Sequence, residues 1–310
     1  MYVKKVIMGV ALGAAVFSIS CQNQSKWDET NAFFHESELP YHTADFSKIK
    51  NKDFKPALLE GMRQQTEAIE KITSNSEQPT FINTIEALEL SGSLFTRVSN
   101  VFNLLTGAHT NDELIAINNE LAPKFAIHTD GIYLNDALFE RVKKLHENRT
   151  NLGLNEEQIR LIDVYYERFL QAGANLNAAD KEQLKQLNQE IATLTNDFSD
   201  KLLAATKSGS ISFTKEELEG LSENELASLP QKDGKYTIDL NNTTQQPALS
   251  QLKRKETRDK LFNASWIRAE KGDKNDTRST IIALTKKRAA KAKLLGFDTY
   301  AAWSLQGTMA

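Results

Sequence analysis

The sequence has a single cysteine, Cys21, in 310 residues. One thiol excludes an intrachain disulfide framework and any cysteine-based zinc knuckle. Six prolines and fourteen glycines are few for this length, which leaves room for long uninterrupted helices. Histidine is scarce as well, with five in the chain. That matters because a helical His-Glu-x-x-His run binds zinc by placing two imidazoles on one face, with the glutamate reaching the bound water. The only His-Glu pairs are His35-Glu36 and His146-Glu147, and Leu39 and Thr150 stand where the second histidine belongs. Pro40 also spoils a helix between His35 and His42. No Gly-x-Ser-x-Gly elbow and no phosphate-cradling glycine loop occurs. The formal net charge of −3 gives no reason to propose nucleic acid as a partner. No catalytic, cofactor-binding or metal-binding residue is therefore assigned from the sequence.

What is present begins with an export signal. Lys4 and Lys5 precede an apolar run from Val6 to Ile19, small residues lead to Cys21, and a polar stretch follows. The run is too short for a comfortable membrane span and reads as a secretory signal. A cysteine just behind it resembles the lipobox of bacterial lipoproteins, although Ser18 stands where leucine is usual. The expectation is a signal over 1–21, Cys21 as the lipidated residue, a polar tether over 22–30 and a folded body over 31–310. The location implied is a bacterial cell envelope, lipid-anchored or periplasmic, with membrane contact through the anchor only. An ordinary signal peptide with a stray cysteine is the alternative.

The body reads as mostly helix. Leu58, Met62, Ile69 and Ile72 follow Pro56 at helical spacing, and the pattern continues over 84–106, loosened at Ser91-Gly92. Thr110 to Glu113 reads as a capping box opening a helix that Pro123 must interrupt or kink. Asn135 and Asn155 start two more. Leu184, Leu187, Ile191, Leu194, Phe198, Leu202 and Ala205 alternate steps of three and four, a seam that packs one long helix along another. Its polar face (Lys185, Gln186, Gln189, Glu190, Asp197) is expected to be solvated. Two short strands, 210–213 and 235–240, interrupt the helices by alternation. Between them Thr214–Glu217 and Ser222–Glu225 read as capping boxes on short helices. Helices then cover roughly 252–270 and 277–295, the second closing at Gly296. The basic residues Lys286, Lys287, Arg288, Lys291 and Lys293 read as a solvated outer face or an anionic-surface contact.

Ordered matches along the body resemble one family. They include "NAFFHESELPYHTADFSKIKNKDF" from residue 31, "PTFINTIEALELSG" (79–92) and "TNDELIAINNELAPK" (110–124). Others are "DGIYLNDALFERV" (130–142), "RLIDVYYERFLQAGA" (160–174), "LNNTTQQPALSQL" (240–252), "LFNASWIRAEKGDKNDTR" (261–278) and "AKLLGFDTYAAWSLQGTMA" (292–310). The chain resembles the peptidyl-dipeptidases (Dcp type) among the thimet-oligopeptidase-like zinc metallopeptidases. Ala32 and Ala44 replace prolines, and Ile82 a glutamate, of that pattern.

The resemblance implies a mainly α fold: the N-terminal helical lobe of a two-lobed, neurolysin-like ellipsoid with a short two-strand insertion. It implies release of dipeptides from the C-terminus of short peptides, with zinc as cofactor in the full-length member and none bound by this chain. The family's zinc ligands lie beyond the matched stretch, so Met309-Ala310 reads as a cut, the chain alone as inactive and a catalytic lobe as its partner. A truncated helical lipoprotein that binds peptide or a partner without cleaving is the reading of another class. Tyr133 in "DGIYLN" and Gln245 in "NTTQQP" have packing and helix-start chemistry as one reading and a substrate-facing role as the other.

Overall fold

The computed structural model describes residues 27–309; the signal segment and Cys21 lie outside them. The fold is mainly helical. Its first half is α1 (Asn51–Ser74), a π-helical turn (Phe81–Glu86) running into α2 (Ala87–Leu90), α3 (Ser93–Ala108), α4 (Asp112–Tyr133), α5 (Asp136–Asn148), α6 (Glu156–Ala172) and α7 (Ala178–Ser208). Then come β1 (Ile211–Phe213), α8 (Glu223–Ser228), β2 (Gln231–Lys232) and β3 (Lys235–Ile238). The chain continues through α9 (Asn242–Gln251), α10 (Lys255–Trp266), α11 (Arg278–Leu294) and α12 (Tyr300–Ser304).

Caps written in the sequence set half of the α-helix starts among the described residues. Asn135 Oδ1 accepts from the Leu138 amide at 3.0 Å, and Asn155 and Gln158 exchange reciprocal bonds of 2.9 and 3.1 Å. For α4 the cap is Asn111, which accepts from the Leu114 amide at 3.0 Å, one residue later than a Thr110 box. α4 also runs through Pro123 without interruption. One missing amide donor is outweighed there by packing of α4 on α1 and α7. Thr214 and Glu217 make the reciprocal bonds of a capping box, 2.7 and 3.3 Å, yet only turns follow before Gly220. The helix expected over 252–270 is α10, shorter at both ends, and an extended elbow at Leu252 and Arg254 separates it from α9, a helix that the sequence reading did not place.

Three cores hold the chain. Phe33, Phe54, Leu58, Val98, Phe102 and Leu121 join the first half of α1 to α3 and α4, and Trp27 packs against them. Ile69, Ile72, Ile85, Leu138, Ile162 and Phe169 join the second half of α1 to the π-helical turn, α5 and α6. Each such side chain stabilises by about 1.5–3 kcal/mol. Beside the second core lies Arg141, 8% exposed. Its guanidinium donates to the Asn75 and Glu77 carbonyls (3.0 and 3.1 Å), to Asn83 Oδ1 (2.9 Å) and to Thr84 Oγ1 (3.3 Å). Four acceptors satisfy a charge that burial would otherwise penalise.

α7 lies between α4 and α11. Its seam is buried at the ends (Leu184, Leu187, Ala205) and half-buried at Ile191, Leu194, Phe198 and Leu202. The polar face is not all solvated, contrary to the sequence expectation. Glu190 pairs with Lys287 at 2.5 Å, and Asp197 accepts from Thr280 at 2.7 Å and Lys201 at 2.8 Å. The reason is that a second helix, α11, covers a side that a two-helix packing leaves to water. The basic stretch is not all solvated either, because α12 folds back on α11: Arg288 lies over Tyr300 at 5.2 Å and Lys291 over Trp303 at 4.3 Å, while Lys286 and Lys293 stay exposed.

The third core fills a small antiparallel sheet and its helices, with Phe213, Leu226, Ile238, Leu240 and Leu261 buried. The sheet has three strands, order β1-β3-β2, rather than the two expected. β1 pairs with β3 through Ile211↔Ile238 and Phe213↔Tyr236, and β2 pairs through Lys232↔Lys235. The two residues between β2 and β3, Asp233 and Gly234, have φ of 51° and 72°. A two-residue loop with positive φ at both positions matches the twist of the strands it joins, and Asp-Gly is a preferred pair for it. That dipeptide was the overlooked signal.

Candidate functional site

The histidines do not assemble. His128 shares a hydrogen bond with Gln65 Oε1 at 2.7 Å on the α1–α4 contact, and burial holds its pKa below the ordinary value. His146 stacks on Tyr166 with ring centroids 3.9 Å apart and faces Asp163 at 3.3 Å. Burial lowers its pKa first and Arg149 second, against the opposing pull of Asp163. His42 meets the Ser37 carbonyl at 3.0 Å in the loop before α1, and His35 lies edge-on to Phe34. Among the described residues no group of three histidine, cysteine, aspartate or glutamate side chains is placed to hold a metal ion.

A polar seam crosses the helical body where α4, α7 and α11 meet. Asp130 of α4 is 7% exposed. Its Oδ1 accepts from Asn188 Nδ2 of α7 at 2.7 Å, and its Oδ2 has no partner. Burial pushes its carboxyl up to about 6, against the pull of Asn188, Lys291 and Lys185. Burial also lowers Lys291 on α11, with Asp130 opposing. The ammonium of Lys291 sits over the ring of Trp303, whose Nε1 donates to the Gln171 carbonyl of α6 at 2.9 Å. Trp303 is thereby docked, while Leu305 and Met309 beside it are exposed. The seam fixes α4, α7 and α11 to one another.

Open chemistry lies between α9 and α10. A cleft of about 460 Å³ is lined there by Asn242, Gln245, Gln246, Phe262, Trp266 and Arg268. Gln245 is 6% exposed, and its Oε1 has no hydrogen-bond partner. Phe262 and Trp266, one helical turn apart, stack at 5.6 Å with planes 19° apart, and both are exposed. Arg268 is held from behind, donating to Thr206 Oγ1 at 3.2 Å and to the Ser265 carbonyl at 2.6 Å. Of the two residues that the sequence raised for a substrate-facing role, Gln245 lines this cleft. Tyr133 packs in the second core against Phe169, with ring centroids 5.1 Å apart. The aromatic pair escaped the sequence reading, although large rings four residues apart on a polar helix signal a shared exposed face.

Residues 248–310 match the family described as peptidase family M3. The chain is 47% identical over 287 residues to the dipeptidyl carboxypeptidase of Escherichia coli (strain K12), covering 90% of this chain and 42% of that protein. The segment 248–310 is similar to peptidase family M3. The chain's likeness extends at 45% identity to the dipeptidyl carboxypeptidase of Salmonella typhimurium, over 91% of this chain and again 42% of the relative. It extends at 26% identity to organellar oligopeptidase A of Arabidopsis thaliana, over 87% of this chain and 35% of that one. The chain thus spans less than half the length of each of these relatives. The part matched to the family includes α10, with both rings of the cleft, and the whole of α11 and α12.

Proposed function

We propose that this chain forms the N-terminal lobe of a zinc metallopeptidase that releases dipeptides from the C-terminus of short peptides. The observation that supports it is the 47% identity to a dipeptidyl carboxypeptidase over 90% of the chain. Residues 27–309 hold no side-chain set suited to zinc, so no step of hydrolysis is assigned to them. In this reading the lobe builds and closes the peptide cleft, and the metal and its base belong to a catalytic lobe that packs against it. Cys21 is the lipid anchor of the mature protein at a bacterial envelope membrane, on the basic-apolar-small-Cys order that precedes the body. Mass spectrometry of the mature N-terminus should show an acylated Cys21, and Cys21→Ser should leave the precursor unprocessed; an unmodified terminus elsewhere refutes the anchor.

The catalytic half of the proposal is tested by fusing this chain to the remaining part of the Escherichia coli relative. The fusion should release dipeptides in a chelator-sensitive way, and the chain alone should not. A folded, zinc-loaded fusion with no activity would overturn the reading in favour of a lobe that binds without cleaving. Tightly held zinc and dipeptide release by the chain alone would overturn the division of labour.

A further inference from the structure

We propose that the cleft between α9 and α10 is a binding site for an extended peptide segment carrying an aromatic side chain. This rests on the reading that the chain comes from a peptide-handling enzyme. The cleft has three features that suit a peptide together. The first is the amide of Gln245. A buried carbonyl oxygen with no donor is costly, and native structures tolerate few of them. Gln245 Oε1 is such an atom on a side chain that lines an open cleft. The oxygen itself is closed to water, so a turn of the side-chain amide that brings it to the cleft lets a ligand N–H satisfy it. Backbone N–H groups recur along any extended peptide, and the exposed amides of Asn242 and Gln246 at the same cleft offer both a donor and an acceptor to the next peptide group.

The second feature is the Phe262–Trp266 stack. Trp266 is 72% exposed and Phe262 50%, so each ring keeps a face that water covers at a cost in free energy. A third ring or a large aliphatic group laid on them completes the stack. The third is charge. Arg268, fixed by Thr206 and Ser265, and Glu270 both line the cleft. One charge of each sign suits a neutral chain of dipoles better than a phosphate, which draws clustered cations. The volume, about 460 Å³, falls in the range of small-ligand sites and admits a short stretch of chain.

The test is calorimetric titration of the full chain, in chelator-containing buffer, with N-acetylated and C-amidated Ala-Ala-Phe-Ala-Ala. The all-alanine pentapeptide serves as the comparison. Saturable binding of the phenylalanine peptide is expected, with the alanine peptide weaker. Trp266→Ala and Gln245→Met should each weaken the phenylalanine peptide by roughly fivefold or more. Trp266 is exposed, so its variant should keep the wild-type circular dichroism and melting temperature even if the Gln245 variant does not. No saturable binding, or equal affinity in wild type and the Trp266 variant, overturns the proposal. So does a chain dimer that Trp266→Ala dissolves, because the cleft would then belong to a second copy. The readout needs no hydrolysis, so an inactive fusion leaves the binding result standing, and absent binding leaves the fusion result standing.

Discussion

Asp130 carries a charge that its surroundings disfavour. Its carboxyl is raised from an ordinary value of 3.8 to about 6, chiefly by burial, and Asn188 satisfies only one of its oxygens. The folded protein therefore holds a proton between about pH 4 and pH 6 that the unfolded chain has released. Stability from this group is complete below the unfolded value and is lost as pH rises through about 6. Asp130→Asn keeps an acceptor for Asn188 and removes the ionisation. The variant should be more stable than wild type at pH 7.5 by roughly 1–3 kcal/mol, with the difference shrinking toward pH 4. Urea titrations of both proteins at several pH values measure this; a difference that does not change with pH refutes it. Lys291 and Lys185 both act on Asp130, so a smaller gain would show that their attraction offsets more of the burial.

The helical elements were largely legible in the sequence because their signals are local. Asn135, Asn155 and Ser222 each bond an amide three residues on, as their spacing requires. Less legible was anything that depends on a neighbour. Asp197 looks like a solvent-facing residue of α7 until Thr280 of α11 lies against it, and no periodicity in α7 announces α11. Gln245 could be raised from its motif, but the orphaned oxygen and the aromatic pair opposite belong to the packing of α9 on α10. The elbow between those helices depends on Gly220. Its φ is 116°, and a Cβ there would stand 2.2 Å from the Gln251 carbonyl oxygen and 3.1 Å from the Lys253 amide nitrogen. Both obstacles are backbone, so no side chain can give way. The Lys253 amide donates to the Glu219 carbonyl at 2.9 Å beside it, and Gly220→Ala should break this join and lower stability by about 2 kcal/mol or more. Thermal melts with dye access to the third core would show it; a wild-type melting temperature would contradict the close approach.

At the scale of the whole molecule, the chain spans 42% of its bacterial relatives. The helices that fall in its family-matched segment also carry uncovered apolar side chains. Ile281 and Ile282 on α11, and Leu305 and Met309 at and beyond the end of α12, are exposed although Trp303 between them is docked. Exposed apolar groups of this kind promote association. The isolated chain should form concentration-dependent oligomers and bind hydrophobic dyes while keeping strong helical circular dichroism. Replacing Ile281 and Ile282 by lysine should reduce both effects without lowering helix content. Sedimentation that shows one dye-silent monomer across the concentration range would mean that this face needs no partner.

Arg141 has a consequence for how the chain can vary in length. The six residues between α1 and the π-helical turn, Asn75 to Thr80, are polar apart from Pro79 and mostly exposed, the kind of connection where insertions and deletions ordinarily accumulate. Here one guanidinium on α5 grips the carbonyls of Asn75 and Glu77 and the side chain of Asn83 at the same time. An added residue would move at least one of those acceptors out of reach and leave a buried cation short of partners. The connection is therefore fixed in length by a residue some sixty positions downstream, and a tag or epitope placed in it would be resisted from inside the fold.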